Sequence, residues 1–298
     1  MVAGSPIEHR FAGDTGELCW FEWGDPAGQP VLLLHATGFH ARCWDKVIDR
    51  LPVGVRVIAP DFGGHGRSYR PDSIADWSQS AADILPLIVH LGLNDIVAAG
   101  HSMGGNCLIR IAGQMPERFR ELVLIDPVAF PQRYYDNPPQ RHGSDPAKHP
   151  MARRRNRWES AEQFFDHLGD RHPFSLWDKA VLKDYCDHGL LPAPDGEGFE
   201  LACPPLIEAT AYMGGIHANI HGFIPAIDAQ VTVMRAQLRK GEDGVDFTNS
   251  PTYPKLASLF ARGEDMFLPE LTHFIPMQAP QLTADVISRA IARARNQG

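Results

Sequence analysis

Apolar residues recur along this chain in two alternating rhythms. Short continuous or alternate-residue runs read as strands, and stripes at three-to-four-residue spacing read as helices. The run Val31 to Leu34 and the run Val55 to Ala59 each end in a Gly-rich or Pro-containing loop, the pattern of a strand buried on both faces. Between them Trp44, Val47, Ile48 and Leu51 form one stripe, predicting a helix over Ala41 to Leu51. The alternation continues with a helix over Asp76 to Leu93, a strand over Asp95 to Ala99, a helix over Met103 to Gln114 and a strand over Leu122 to Ile125. Ahead of all these, Ile7 to Phe11 and Leu18 to Trp23 flank the turn-prone Gly13-Asp14-Thr15-Gly16 and predict an antiparallel opening.

From about Pro127 to Gly215 the rhythm breaks. The stretch is rich in Pro, Arg, His and Trp, predicts helical pieces near Ala161 to Leu168 and Lys179 to Asp187, and offers no buried strand. Afterwards Val231 to Met234 reads as a strand, Tyr253 to Phe260 as a helix, Asp265 to Leu268 as a last strand and Ala279 to Arg293 as a closing helix. The expected fold class is α/β, a mostly parallel eight-stranded sheet with helices on both faces. Its core would comprise residues 1–127 and 216–298, with a helical cap inserted at 128–215. The cap's Trp158, Phe164, Phe165, Phe174, Trp177, Tyr185 and Tyr212 could roof an apolar pocket, although much of that surface must serve the cap's own core.

Composition narrows the function. With 298 residues the chain can bury a full core, and a formal charge of -8 leaves no basic field for nucleic acid. Arg153, Arg154 and Arg155 are the one basic cluster, better read as a solvated helix face than as an anion site. Cys19, Cys43, Cys107, Cys186 and Cys203 are odd in number and widely spaced, which fits a reducing, cytoplasmic setting and no zinc or redox pair. No signal pattern opens the chain, and no apolar run approaches the roughly 18 residues of a membrane span. The expected partner is therefore a small-molecule substrate, with no nucleic acid and no membrane, and a homodimer left open. Neither cofactor nor metal is expected, because phosphate-binding and zinc-helix motifs are absent and the histidines lack ligand spacing.

The chemistry concentrates in a few motifs. Gly100-His101-Ser102-Met103-Gly104 follows a predicted strand and precedes a predicted helix, the setting in which Gly-x-Ser-x-Gly forms a nucleophile elbow. So tight a turn needs glycine on both sides. At the helix N-terminus an oxyanion would meet backbone N–H groups that lack intrahelical partners, among them that of Met103. His273 follows the last predicted strand in a loop that can bring its imidazole to Ser102 as general base. His101 would be turned away by the elbow and reads as a packing or tuning residue; His65, His217 and His221 fit structural roles at least as well as a place in the pocket.

Taken in serial order, the strand-loop Val31-Leu32-Leu33-Leu34-His35, the segment Ala59-Pro60-Asp61-Phe62-Gly63-Gly64-His65-Gly66-Arg67-Ser68, the Ser102 elbow and Leu271-Thr272-His273-Phe274-Ile275-Pro276 resemble the α/β-hydrolase superfamily. The resemblance covers the chain outside the cap. It implies a serine hydrolase acting on an ester or related acyl bond through an acyl-enzyme. It also places the second oxyanion donor in the loop after Leu34, where Thr37 is the candidate, Ala36 replaces the usual glycine and His35 would prop the loop. Serine in place of aspartate as nucleophile disfavours epoxide and haloalkane chemistry.

The acid stays open between two positions. Relatives usually draw it from beyond the seventh strand, where Arg239 breaks the spacing and Asp246 occupies the slot, with Glu242 and Asp243 as weaker neighbours. Asp126, directly after the sixth strand, is the position used by others. Each could instead be a mere cap or turn residue. Lactone hydrolysis, hydrolytic carbon–carbon cleavage and, in a different class, a noncatalytic small-ligand receptor all reuse this fold.

Overall fold

The computed structural model describes residue 2 and residues 4–74, 76–137, 145–238 and 248–296. Eight strands form the main sheet: β1 (Ile7–Ala12), β2 (Glu17–Gly24), β3 (Gln29–Leu34), β4 (Val55–Pro60), β5 (Ile96–His101), β6 (Phe119–Ile125) and, after a long excursion carrying β7 (Arg157–Trp158), β8 (Leu190–Pro192) and β9 (Phe199–Leu201), β10 (Gln230–Arg235) and β11 (Gly263–Phe267). Their order across the sheet is β1-β2-β4-β3-β5-β6-β10-β11. The pairings β1 with β2 and β2 with β4 are antiparallel, and every later pairing is parallel. The two early strands thus open the sheet as the sequence pattern predicts.

The unbroken apolar runs follow from burial on both faces. Leu32 and Leu34 of β3 and Ile96 and Ala98 of β5 pack into one core with the helices Trp77–His90 and Met103–Gln114. Val31, Leu33, Val97 and Ala99 alternate into a second core with Val47 and Ile48 of the short helix Asp45–Ile48 and with the closing helix Pro280–Arg295. Strand residues two apart share a face, so each central strand feeds both layers. The helix Trp77–His90 starts one residue inside the expected boundary, because Asp76 caps it by accepting the Ser78 N–H at 2.8 Å. The Ala41 to Leu51 stripe is buried as expected, but its first turn is a 3-10 segment, Ala41–Trp44.

Two expectations need correction. The stretch between β6 and β10 holds the helices Ala161–Leu168, Lys179–His188 and Pro205–Gly214, yet it also contains a small antiparallel sheet, β7-β9-β8, in which Trp158, Leu190 and Leu201 are buried. Strands of two or three residues carry no period that a sequence pattern could expose. Tyr253 to Phe260 is not a helix: only Ala257–Leu259 makes a 3-10 turn. Pro254 supplies no N–H and pushes Tyr253 out of the helical region. No helix among the described residues is long and apolar enough to cross a membrane.

Candidate active site

The C-terminal ends of β3, β5 and β6, which are neighbours in the sheet, converge on one point with the loop beyond β11. This edge is where parallel α/β sheets present their functional groups. Ser102 sits between β5 and the helix Met103–Gln114 with φ 56° and ψ −115°. Such a conformation costs a residue with a Cβ about 1–3 kcal/mol. Backbone hydrogen bonds hold it: Ser102 N–H donates to Ile125 at 3.1 Å, and its carbonyl accepts from Val128 at 3.2 Å. The flanking glycines are needed for approach. A Cβ on Gly104 would lie 2.2 Å from the Leu34 carbonyl oxygen, and one on Gly100 would lie 2.5 Å from that of Gly104. The helix start is thereby pressed against the end of β3.

His273 Nε2 lies 2.9 Å from Ser102 Oγ, and its Nδ1 lies 2.7 Å from Asp126 Oδ2. Asp126 follows β6 with φ 43° and is fully buried. Its N–H donates to Met234 of β10, and its Oδ1 accepts from the Ala236 N–H at 3.0 Å and the Ser250 hydroxyl at 2.5 Å. Of the two acid candidates the geometry brings Asp126 to His273; Asp246 lies outside the described residues, as do Glu242 and Asp243. Ser250 and Thr252 are partners that sequence reasoning missed, since a hydroxyl in a loop announces nothing. The only trace was their place beyond β10, where relatives carry an acid.

The loop after β3 completes the constellation. The backbone N–H groups of Thr37 and Met103 have no backbone partner among the described residues, as two oxyanion donors would require. His35 props this loop as expected: its Nε2 accepts the Phe62 N–H at 3.0 Å, leaving Nδ1–H to donate to the Ala36 carbonyl at 2.8 Å. Burial, then neighbouring His65, holds its pKa well below the usual histidine range. Asp61 secures the adjoining turn by accepting the N–H groups of Ala41 at 2.7 Å and Arg67 at 2.9 Å, and burial lifts its pKa to about 6.

His101 does not face Ser102. Its Nε2–H donates to the His273 carbonyl at 2.8 Å, and burial, with His273 next to it, lowers its pKa to about 3. It is a neutral strut under the histidine loop. His65 is buried 5.2 Å, ring to ring, from His35; His221 bonds the Phe130 carbonyl at 2.9 Å; and His217 is exposed.

Aromatic side chains cover the loop after β3. Phe39 from that loop meets Trp177 at 5.6 Å and Tyr185 at 5.4 Å between ring centroids, and Trp177 meets Phe274, the residue after His273, at 5.4 Å. Trp158, Phe164 and Phe174 join the cluster, with Phe165 at its margin, whereas Tyr212 stacks on His149. Arg154 is not on a solvated face as expected. Its guanidinium pairs with the buried Glu208 and bonds the Tyr185 hydroxyl at 3.0 Å. Glu208 in turn fills the space beside Gly38.

A strained serine after a central strand, a histidine beyond the last strand and a buried carboxylate thus stand in one hydrogen-bonded line. Residues 31–286 match the model of the Alpha/beta hydrolase family, and the chain belongs to that family. It is 36% identical over 119 residues to a non-heme haloperoxidase of Rhodococcus erythropolis, covering 39% of this chain and 43% of that protein. It is 37% identical over 108 residues to the dihydrolipoyllysine-residue acetyltransferase component of the acetoin cleaving system of Pseudomonas putida, covering 36% of this chain and 29% of that protein. The matched stretch thus spans less than half the length of either relative. Among solved structures, E-2-(acetamidomethylene)succinate hydrolase superposes with a TM-score of 0.76 at 20% identity, covering 97% of this chain and 100% of that one. That likeness is one of fold.

Proposed function

We propose that this protein is a serine hydrolase that cleaves an ester or related acyl bond of a small, apolar molecule through an acyl-enzyme. The observation that carries the reading is the unbroken chain from Ser102 Oγ to His273 Nε2 at 2.9 Å and from His273 Nδ1 to Asp126 Oδ2 at 2.7 Å. In this reading His273 takes the Ser102 proton as Oγ attacks the carbonyl carbon, and Asp126 stabilises the resulting imidazolium. The N–H groups of Thr37 and Met103 hold the tetrahedral oxyanion. His273 returns the proton to the leaving group; a water deprotonated by His273 then releases the acid. The strained turn holds the Ser102 hydroxyl outside the helix, where it faces His273 Nε2 at 2.9 Å.

Residues 128–215 act in this account as a cap. The aromatic cluster of Phe39, Trp177, Tyr185 and Phe274 supports an apolar acyl group, because such a roof excludes water and rewards apolar contact. Five free, buried cysteines support a reducing, cytoplasmic setting.

The test is the release of p-nitrophenol from acetate, butyrate, hexanoate and benzoate esters by the wild type, Ser102→Ala and His273→Ala. A pre-steady-state burst in the wild type, lost in both variants, supports the acyl-enzyme. Full activity in Ser102→Ala overturns it. Tight ligand binding without turnover would instead establish a receptor, and activity that falls steadily with acyl length would remove the apolar-substrate assignment.

A further inference from the structure

The segment beyond β10 is where the superfamily's acid usually stands, and here it returns to the same site with different chemistry. The Thr248 carbonyl accepts the His273 N–H at 2.8 Å. Two residues on, Ser250 donates its hydroxyl to Asp126 Oδ1 at 2.5 Å, and Thr252 brings its Oγ1 to 3.2 Å from the same oxygen.

Counting protons separates the two hydroxyls. Thr252 has one hydroxyl hydrogen, and its Oγ1 lies nearer the Pro127 carbonyl, at 2.7 Å, than to Asp126. Its proton therefore belongs to the backbone. Ser250 Oγ accepts the Thr252 N–H at 3.2 Å, which leaves its own hydrogen for the carboxylate. The serine cannot drift, because its N–H donates to the Gln237 carbonyl at 3.0 Å and the Tyr253 N–H donates to that of Ala129 at 2.7 Å. With Ala236 N–H on the same oxygen, two donors fill Oδ1 and turn Oδ2 toward His273.

We infer that Ser250 is a positioning residue of the catalytic acid: its hydroxyl fixes the plane of the Asp126 carboxylate and tempers the charge that carboxylate presents to His273. The inference rests on the Ser102–His273–Asp126 reading above. A hydrogen bond to a carboxylate is among the stronger kinds, and it disperses negative charge. Without it Asp126 presents more charge to the protonated histidine and holds it less squarely. Among the described residues, the other charged or titratable groups facing the pair include Arg235, which is paired with Asp265 and whose charge reaches Asp126, and His101, which faces His273 from the end of β5. Neither changes when Ser250 is replaced.

The experiment compares Ser250→Ala, Ser250→Thr, Thr252→Val and Asp126→Asn with the wild type, using p-nitrophenyl butyrate turnover across pH 5–9 and the rate of inactivation by a fluorophosphonate. For Ser250→Ala the expected result is a kcat lower by about tenfold, equivalent to about 1.4 kcal/mol, with KM within twofold. The acid limb of kcat/KM should move to higher pH, and the fluorophosphonate rate should fall in parallel. Ser250→Thr restores the hydroxyl and most of kcat; Thr252→Val costs less than threefold. A Ser250→Ala enzyme with the wild-type kcat, inactivation rate and acid limb overturns the inference while leaving the triad intact, provided Asp126→Asn is severely impaired. If Asp126→Asn keeps wild-type turnover, the triad reading fails and Ser250 loses its role with it. A loss spread equally over kcat and stability, with an unmoved acid limb and no rescue by threonine, would reduce Ser250 to a structural residue.

Discussion

Replacing Asp126 by asparagine tests the acid through hydrogen bonding alone, since the two side chains have nearly the same shape. Oδ1 accepts the Ala236 N–H and the Ser250 hydroxyl, so the asparagine carbonyl must take that position. Turning the amide over would set its NH2 against the Ala236 N–H and leave a buried donor unsatisfied, at a cost of about 1–3 kcal/mol. The NH2 group then occupies the place of Oδ2 and donates to His273 Nδ1. That forces the imidazole proton onto Nε2, which faces Ser102, and the base is lost. The imidazolium also loses its counter-charge: opposite charges about 4 Å apart attract by roughly 4 kcal/mol at an effective dielectric of 20. At 1.36 kcal/mol per decade this alone is about 10³-fold in kcat, and the wrong tautomer adds to it. The assay is steady-state hydrolysis of p-nitrophenyl butyrate at pH 7.5, with circular dichroism as a check on folding. A folded Asp126→Asn enzyme within tenfold of the wild-type kcat would refute the reasoning.

Three other outcomes are expected. Arg293→Ala removes the partner of Glu121, a fully buried carboxylate held by the half-exposed Arg293 through Nε at 3.0 Å and Nη2 at 2.8 Å, so urea unfolding should show a loss of about 1–3 kcal/mol; an unchanged midpoint would contradict this. Burial lowers the pKa of His40 and His101 to about 3 and of His65 to about 4, below the unfolded value. These groups bind fewer protons folded than unfolded, so their stability is complete above about pH 6.5 and is lost as pH falls toward 4, by up to about 1.4 kcal/mol per pH unit per histidine. Asp61, raised to about 6 by burial, has the opposite sign, because its contribution is present at low pH and lost as pH rises through 6. The histidines outnumber it, and thermal melts should show a falling Tm between pH 6.5 and 4; a flat Tm would show that they open to solvent without cost. Trp177→Ala should raise KM for the hexanoate ester more than for the acetate, besides costing about 3–5 kcal/mol of stability; an equal rise for both would remove Trp177 from the acyl pocket.

Much of this architecture was legible because burial on two faces writes itself into sequence. Val31 to Leu34 and Asp95 to Ala99 could be read as central strands since nearly every residue there packs into one core or the other. The Ser102 elbow was legible for a steric reason: Gly100 and Gly104 are required where the helix start meets the end of β3. The acid was not, because Asp126 and Asp246 each stand after a strand and chain spacing does not reveal which loop folds back. Asp126 is distinguished only by contacts with Ala236, Ser250 and His273, which lie more than a hundred residues away. Arg154 was misread for a similar reason. A run of three arginines looks like a solvated surface until Glu208 and Tyr185, distant in the chain, enclose its middle member. The small sheet β7-β9-β8 escaped because its strands are too short to show a period.

The central claim, that Ser102 is the nucleophile activated by His273, is tested most directly by mass spectrometry. The wild type, Ser102→Ala and His273→Ala would each be treated with a fluorophosphonate and digested, and the modified peptide sequenced. The account predicts one adduct on Ser102 in the wild type, none at any position in Ser102→Ala and labelling slowed by at least about a hundredfold in His273→Ala, as expected when a general base is removed. An adduct on another residue, or undiminished labelling of Ser102 without His273, would contradict it.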